Sequence, residues 1–274
     1  MLAAMATMKL PSVWLKSCQT GVFGANTALR HFATGASRQD GMLPRLYKEV
    51  MVREDPEGWT LMLDSRVLNT PGKNVLTVPS KSLAMAVATE WEYQDTRSIR
   101  PFTMPLMTLA SMAIDQPKPK PATIETMMRY LKTDSLCLRE EGHHGLSAVQ
   151  EQLYSPIMNF YEQDFKLDLL TTTAIFGLEQ PEPTVAKLKS YLESLDPWHL
   201  TAVEALSSAS RSILIGVALS HGVLPPAEAL RVARLEENYQ MEEWGFVEGG
   251  HDIDNADFAV QVSAPLVFLH LLKD

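Results

Sequence analysis

Few residues of this chain have the types and spacing that metal binding or catalysis requires. The best metal candidate is the run Glu140-Glu141-Gly142-His143-His144, because imidazole and carboxylate groups are both good zinc ligands. Adjacent histidines on a loop rarely face one ion together, however, and no spaced partner such as HxxxH follows. We favour a solvated loop, since His and Glu side chains are mostly exposed in proteins.

Cys137 is a candidate nucleophile, but a reactive thiol needs an electropositive, partly exposed setting. A small buried hydrophobe is the commoner role of such a cysteine, and we favour it. The patterns GxxxxGK[ST], GxGxxG, GxSxG and HExxH are all missing from the sequence. We therefore predict no catalytic residue, no cofactor and no metal, in a protein that is not an enzyme.

Aromatic and methionine side chains offer two further candidates for binding. Trp91 ends an apolar helical stripe, where a core position is favoured over a binding anchor. A methionine cluster follows, and unbranched Met side chains suit either an adaptable surface or an irregular core. We favour the core for this cluster, which consists of Met104, Met107, Met112, Met127 and Met128.

The most distinctive stretch is residues 234–245, in which five side chains are candidates for binding a protein partner: Glu236, Glu237, Gln240, Met241 and Trp244. If residues 225–244 form one helix, four glutamates lie in its C-terminal half, where the helix dipole disfavours anions. That cost indicates either a partner or an internal arginine such as Arg211 or Arg234. A solvated acidic face is an equally favoured alternative.

The chain has 274 residues, 46% of them hydrophobic and 21% charged, as in ordinary globular proteins. The formal net charge of −9 argues against nucleic-acid binding, which depends on Lys and Arg neutralising phosphates. The sequence contains no run of 18 apolar residues, so we predict no membrane span. Two cysteines, Cys18 and Cys137, fit a reducing compartment and provide no disulfide framework.

Residues 1–39 have the composition of a cleaved mitochondrial transit peptide. They contain four basic residues and no acid, and they are rich in Ala, Ser and Thr. The segment around Arg30 and Phe32 resembles a processing site, while a merely disordered N-terminus is the alternative. Removing these residues takes the formal net charge from −9 to −13, so the mature chain is expected to be acidic.

The remaining chain shows two kinds of pattern. Four short alternating segments with turns between them predict strands at 47–53, 59–63, 66–68 and 75–78. Ser80 then caps a helix whose apolar stripe is Leu83, Ala84, Val87, Ala88 and Trp91. We predict an α+β fold, with a small β-rich domain at residues 40–102 and a larger all-helical domain at residues 103–274.

Start and stop signals divide the helical part. They predict a helix at 105–114 and then a stiff linker at 117–121. Further helices are predicted at 122–132, 155–165, 182–195, 196–221 and 225–244. Asn255 is expected to cap the last helix, and Pro265 is expected to kink or break it.

At residues 234–245 the sequence resembles the mitochondrial ATP synthase F(1) assembly factor two family. Four other segments agree, namely 47–50, 77–80, 86–91 and 134–137. The similarity extends from about Arg45 to Leu272, although residues 117–121 and 140–145 do not match.

The resemblance implies a small α+β domain, a helical domain and a mitochondrial matrix location. It further implies a chaperone that binds the unassembled F(1) alpha subunit until the beta subunit displaces it, without nucleotide hydrolysis. No nucleic acid, membrane span or small-molecule substrate is expected. Two alternatives stay open: a matrix enzyme or small-molecule-binding protein with a pocket in the helical domain, and a permanent structural subunit of a matrix complex.

Overall fold

The structure is a computed structural model that describes residues 44–141, 144–174, 178–245 and 251–273. The predicted transit peptide at residues 1–39 lies outside the described residues, as do Gly142 and His143.

A small antiparallel sheet opens the described chain. Strands β1 (Val50–Asp55) and β2 (Gly58–Leu63) form a hairpin, and β3 (Arg66–Val67) and β4 (Thr77–Val78) both pair with β2. Gly58 closes the hairpin with φ +141°, and a Cβ there would lie 2.5 Å from the carbonyl oxygen of Val78. Only glycine tolerates both conditions. The four predicted strands are confirmed. The first begins three residues later and ends two residues later than predicted, and the other three differ from their predicted bounds by one or two residues.

Helix α1 (Lys81–Glu92) packs on this sheet. Ser80 caps it, since the Ser80 hydroxyl accepts a hydrogen bond from the backbone N–H of Leu83 at 3.1 Å. The five residues of the predicted stripe are the five buried residues of the helix. Trp91 is one of them, and its ring meets the ring of Tyr47 edge-on at 5.7 Å between centroids. The core role predicted for Trp91 is confirmed.

Two helices follow, α2 (Pro105–Asp115) and α3 (Lys120–Met128), and a 3₁₀ segment (Arg129–Thr133) extends the second. The predicted extended linker ends two residues early, because a proline is compatible with the first turn of a helix and α3 takes in Pro121. Met104, Met107 and Met127 are fully buried, and Met128 packs against the core. The core role is confirmed for these methionines.

The predicted helix start at Ser155 is wrong, because α4 (His144–Phe160) begins earlier and contains Pro156. An internal proline costs a backbone hydrogen bond. Leu153 and Ile157 lie one turn apart on either side of Pro156 and are both buried, so packing outweighs that cost. The chain then forms a π-helical turn (Tyr161–Phe165).

Helix α5 (Glu182–Ser194) lies where it was predicted, but the next predicted run is two helices, α6 (Pro197–Ser210) and α7 (Ile213–Ser220). The run breaks at Arg211, which has a left-handed φ of 52°. Ser212 then caps α7 by accepting a hydrogen bond from the backbone N–H of Ile215 at 2.9 Å.

The predicted helix at 225–244 is also two helices, α8 (Pro226–Ala233) and α9 (Leu235–Trp244), with Arg234 between them at φ −130°. The last helix, α10 (His251–Leu271), contains both Asn255 and Pro265. Asn255 is therefore not a cap, because the helix begins before it. Pro265 does not end the helix, and its neighbours Phe268 and Leu269 are buried one turn further on.

Buried side chains from Tyr47 to Leu269 form one hydrophobic cluster that joins the sheet to the helices. The two parts also share a polar contact, since the Ser80 hydroxyl donates to the carbonyl oxygen of Leu271 at 2.5 Å. The α+β fold class is confirmed, while a domain boundary near Phe102 stays a prediction. Among the described residues, no helix is long and apolar enough to cross a membrane.

Candidate protein-binding surface

The break at Arg234 changes the position of the predicted binding residues. Glu236 and Glu237 lie in the first turn of α9 and not in the C-terminal half of a longer helix. The prediction that the helix dipole opposes these two acids is therefore wrong, because anions are favoured at a helix N-terminus. Glu242 and Glu243 do lie near the C-terminal end of α9, where the argument still holds.

Glu237 is half exposed and forms two ion pairs. Its carboxylate lies 2.5 Å from Nε of Arg234 and 3.9 Å from Nη1 of Arg211, and the Glu237 side chain is 47% exposed. The internal arginine partners considered from the sequence are both present. The Arg211 side chain is 63% exposed, so its ion pair with Glu237 contributes little to stability and a cation on a partner can replace it at small cost. Arg234 is only 20% exposed, so its shorter ion pair is better shielded from water.

Glu236 points toward the protein. Nε2 of Gln150, on α4, lies 3.4 Å from its carboxylate, and Oε1 of Gln150 accepts the backbone N–H of Glu140 at 3.0 Å. Burial raises the pKa of Glu236, the nearby Glu140 and Glu237 charges raise it further, and the hydrogen bond from Gln150 opposes them. Glu236 therefore joins α9 to α4 and to the 140 loop.

The other three predicted binding residues differ in exposure. Gln240 is exposed and Met241 is half-buried. The side chain of Trp244 lies outside what the structure describes. Of the predicted set, Glu237 and Gln240 are thus the described side chains most accessible to a partner.

Arg234 organises this corner of the molecule and was underrated from the sequence. Its guanidinium contacts Glu237, donates to Oδ1 of Asn255 on α10 at 2.9 Å, and lies 4.8 Å from the ring centroid of Phe258. Arg234 therefore holds the first turn of α9 against the start of α10. The spacing of three residues to Glu237 was the available signal.

Two buried carboxylates were not singled out by the sequence analysis. Asp134 accepts hydrogen bonds from the Ser212 hydroxyl at 2.5 Å and from the backbone N–H of Leu214 at 3.1 Å. Burial raises its pKa to about 6 against those hydrogen bonds. Glu90 accepts the backbone N–H groups of Leu106 and Met107, and burial raises its pKa to about 7.

Raised pKa values often mark catalytic carboxylates, but these two groups cap helices. Asp134 caps α7 and Glu90 caps α2, so their oxygens are occupied by structural donors. Cys137 is fully buried and burial raises its pKa to about 12, which confirms the small hydrophobic role and opposes thiolate chemistry.

A cleft of about 530 Å³ lies beside the π-helical turn, among the residues Pro156, Asn159, Phe160, Gln163, Asp164, Phe165, His221 and Val223. Nε2 of His221 lies 2.8 Å from the Tyr191 hydroxyl, and burial lowers the pKa of the imidazole. The cleft is wide open to solvent, unlike the deep pockets that bury small ligands. In the described ranges, no three His, Cys, Asp or Glu side chains gather to hold a metal ion.

Comparisons with known proteins agree with a protein-binding role. A family model described as ATP12 chaperone protein matches residues 44–162. The chain is 26% identical to protein atp12, mitochondrial, of Schizosaccharomyces pombe over 78% of either chain. It is 27% identical to protein ATP12, mitochondrial, of Saccharomyces cerevisiae, over 91% of this chain and 90% of the relative.

Solved structures share the fold. Atp12 from Paracoccus denitrificans has a TM-score of 0.76 at 29% identity, covering 84% of this chain and 98% of that one. The Atu1473 protein from Agrobacterium tumefaciens has a TM-score of 0.79 at 26% identity, covering 92% of this chain and 97% of that one. Both the sequence similarity and the fold relate this chain to chaperones. The chain is similar to ATP12 chaperones in sequence, above all at residues 44–162, and in fold, so the resemblance predicted from the sequence is confirmed.

Proposed function

We propose that this chaperone binds the unassembled alpha subunit of mitochondrial ATP synthase F(1), keeps it soluble, and releases it when the beta subunit takes its place. The observation that supports this proposal most directly is the similarity to ATP12 chaperones combined with an exposed carboxylate, Glu237, whose ion pair with Arg211 is long and open to solvent. An unassembled subunit exposes apolar surface that aggregates unless it is covered.

Release needs no energy source of its own. A chaperone that is exchanged for the true neighbour is displaced by mass action, because the final complex is the more stable one. The missing phosphate-binding loop fits this mechanism, which involves binding and no catalysis. The partner-binding set is Glu236, Glu237, Gln240, Met241 and Trp244, of which Glu237 and Gln240 are the exposed described members.

The proposed location is the mitochondrial matrix. The two curated relatives are mitochondrial proteins, and residues 1–39 of this chain are basic and free of acids. A reporter that carries residues 1–39 checks this location, and a reporter that stays in the cytosol would contradict it.

The test of function is aggregation of the F(1) alpha subunit during refolding. With the mature chain present, light scattering by the alpha subunit should fall in proportion to the added chaperone. The fall should be the same with no nucleotide, with ATP and with a non-hydrolysable analogue. Suppression that needs hydrolysis would contradict the displacement mechanism, and no suppression at all would contradict the choice of partner.

A further inference from the structure

Helix α10 has an apolar strip on its solvent-facing side. Ile253, Val260 and Val267 follow one another at intervals of seven residues, which places them on one face of a helix. Their exposed fractions are 70%, 48% and 47%. Ala256 is exposed on the same face. We call these four residues the α10 strip.

The strip is unusual because the other side of α10 is already the buried one. Val262, Phe268 and Leu269 enter the core from that side. A surface helix normally presents charged or polar residues opposite its buried stripe. Helix α5 follows this rule, with exposed Lys187 and Glu193 outside the stripe of buried Leu188 and Leu192. Helix α10 is apolar on both sides, as expected of a helix that is covered by a partner.

Charge identifies the kind of partner. Residues 235–271 contain no Lys or Arg and eight acids: Glu236, Glu237, Glu242, Glu243, Glu248, Asp252, Asp254 and Asp257. Asp254 and Asp257 are exposed, and they lie one and four residues after Ile253 in the first turns of α10. Arg234 contacts both Glu237 and Asn255, so the exposed carboxylate of Glu237 lies at the same end of the strip. The strip is therefore apolar and bordered by negative charge.

Such a surface fits an apolar protein surface that is bordered by Lys or Arg. A second copy of this chain would place the same carboxylates opposite one another, because a two-fold interface pairs a patch with itself. An anionic membrane surface would repel them as well. We propose that the α10 strip is the surface on which the unassembled F(1) subunit docks, through an apolar patch edged by basic residues. This inference rests on the proposed function.

The variant that tests the strip is Val260→Gln combined with Val267→Gln. Gln has at least the helix propensity of Val, and both side chains are half exposed, so α10 should stay folded. The matched control is Val75→Gln, since Val75 is 50% exposed and lies in the small sheet region. Ile253→Gln is a second, single variant at the most exposed strip position.

The measurement is the chaperone concentration that halves light scattering by the refolding alpha subunit. The double variant should need about tenfold more protein, as expected when central contacts of an interface are lost. Val75→Gln should need the same concentration as the unsubstituted chain, and all variants should unfold at nearly the same temperature. Raising the ionic strength should weaken suppression by the unsubstituted chain.

The outcomes separate the two proposals. If the unsubstituted chain does not suppress scattering, the proposed function fails. If it does, and the double variant suppresses equally well, the docking strip is wrong while the function stands. Two further results would also overturn the proposed occupant: a dimer in sedimentation that the double variant abolishes, or flotation with cardiolipin-containing vesicles that it abolishes.

Discussion

Asp134 and Glu237 both meet the first turn of a helix, but their surroundings are opposite. Asp134 is fully buried and caps α7 through the Ser212 hydroxyl and the Leu214 backbone N–H. Glu237 lies in the first turn of α9 with about half of its side chain in solvent, held by Arg234 and Arg211. Both obey the preference of helix N-termini for anions. They differ in their present partners: a new partner would have to displace buried hydrogen-bond donors from Asp134, but only arginine side chains from Glu237.

The difference teaches how to separate structural acids from binding acids in this molecule. Glu90 and Glu236 are intermediate cases, since burial raises the pKa of both and each joins two elements. A carboxylate whose oxygens are occupied and sealed from water holds the fold. A carboxylate with water-facing oxygens can exchange an internal arginine for a partner's cation at little cost.

The largest expected effect on stability is that of substituting Asp134, the fully buried carboxylate. Asp134→Ala leaves the Ser212 hydroxyl and the Leu214 backbone N–H without their acceptor, and each unsatisfied buried group costs about 1–3 kcal/mol. The free energy of unfolding, measured by urea denaturation, should fall by about 3 kcal/mol or more. Ser212→Ala removes one of these donors and should cost less. A loss below about 1 kcal/mol for Asp134→Ala would show that Asp134 is not structural.

The burial of Glu90 should make the free energy of unfolding depend on pH. Burial raises its pKa from 4.5 to about 7, so the folded state binds a proton more tightly than the unfolded state. The resulting stabilisation is complete below about pH 4.5 and is lost as the pH rises to about 7. Each pKa unit corresponds to about 1.4 kcal/mol, so the contribution of Glu90 to the free energy of unfolding should change by about 3 kcal/mol in full.

The measurement is the free energy of unfolding of the unsubstituted chain minus that of Glu90→Gln, which does not titrate. The difference should decrease between about pH 4.5 and 7 and then level off. Glu92→Gln, at an exposed neighbour on the same helix, is the matched control. A constant difference for Glu90→Gln across that range would mean that the carboxyl is not desolvated.

The N-terminal part of the fold was predictable because its signals are local. Ser80 and the five-residue stripe of α1 lie within twelve residues of one another and determine both the cap and the buried face. The helix breaks at Arg211 and Arg234 have no such signal, since no glycine or proline stands there. At the first break the Ser212 hydroxyl donates a hydrogen bond to Asp134, which is 78 residues away in sequence. At the second break Arg234 donates to Asn255, which is 21 residues away.

The dependence on contacts between residues far apart in sequence also limits what could be predicted of the candidate surface. The sequence pointed to Glu236 and Glu237 together, because neighbours in a charge run look alike. The structure separates them: Glu236 faces Gln150 on α4, while Glu237 faces solvent and two arginines. Which face of α9 is covered depends on packing against α4, a long-range contact that helical spacing alone does not reveal.

The smallest expected change in stability belongs to Glu237→Lys, compared with Glu236→Lys at the adjacent position. Glu237→Lys removes the exposed ion pair with Arg211 and the less exposed one with Arg234, and it should lower the free energy of unfolding by about 1 kcal/mol. Glu236→Lys places a charge in a half-buried site that contains Gln150, and it should lower the free energy of unfolding by more. Alpha-subunit binding should respond in the opposite order, because a cation at Glu237 would face the basic edge of the partner directly.

Glu228→Lys separates these effects from net charge. Glu228 is exposed in the first turn of α8, outside the proposed surface. Glu228→Lys therefore makes the same change of charge as Glu237→Lys at an equivalent position in a helix. Relative to it, Glu237→Lys should raise the half-suppression concentration of the alpha-subunit assay at least tenfold, because like charges at an interface cost several kcal/mol and each ~1.4 kcal/mol is a factor of ten. Equal suppression by Glu228→Lys and Glu237→Lys would identify the acids of α9 as a solvated face. A collapse of the unfolding temperature for Glu237→Lys would identify its arginine contacts as structural. Reduced suppression with a retained unfolding temperature is the result that distinguishes a carboxylate reserved for a partner from one that holds the fold.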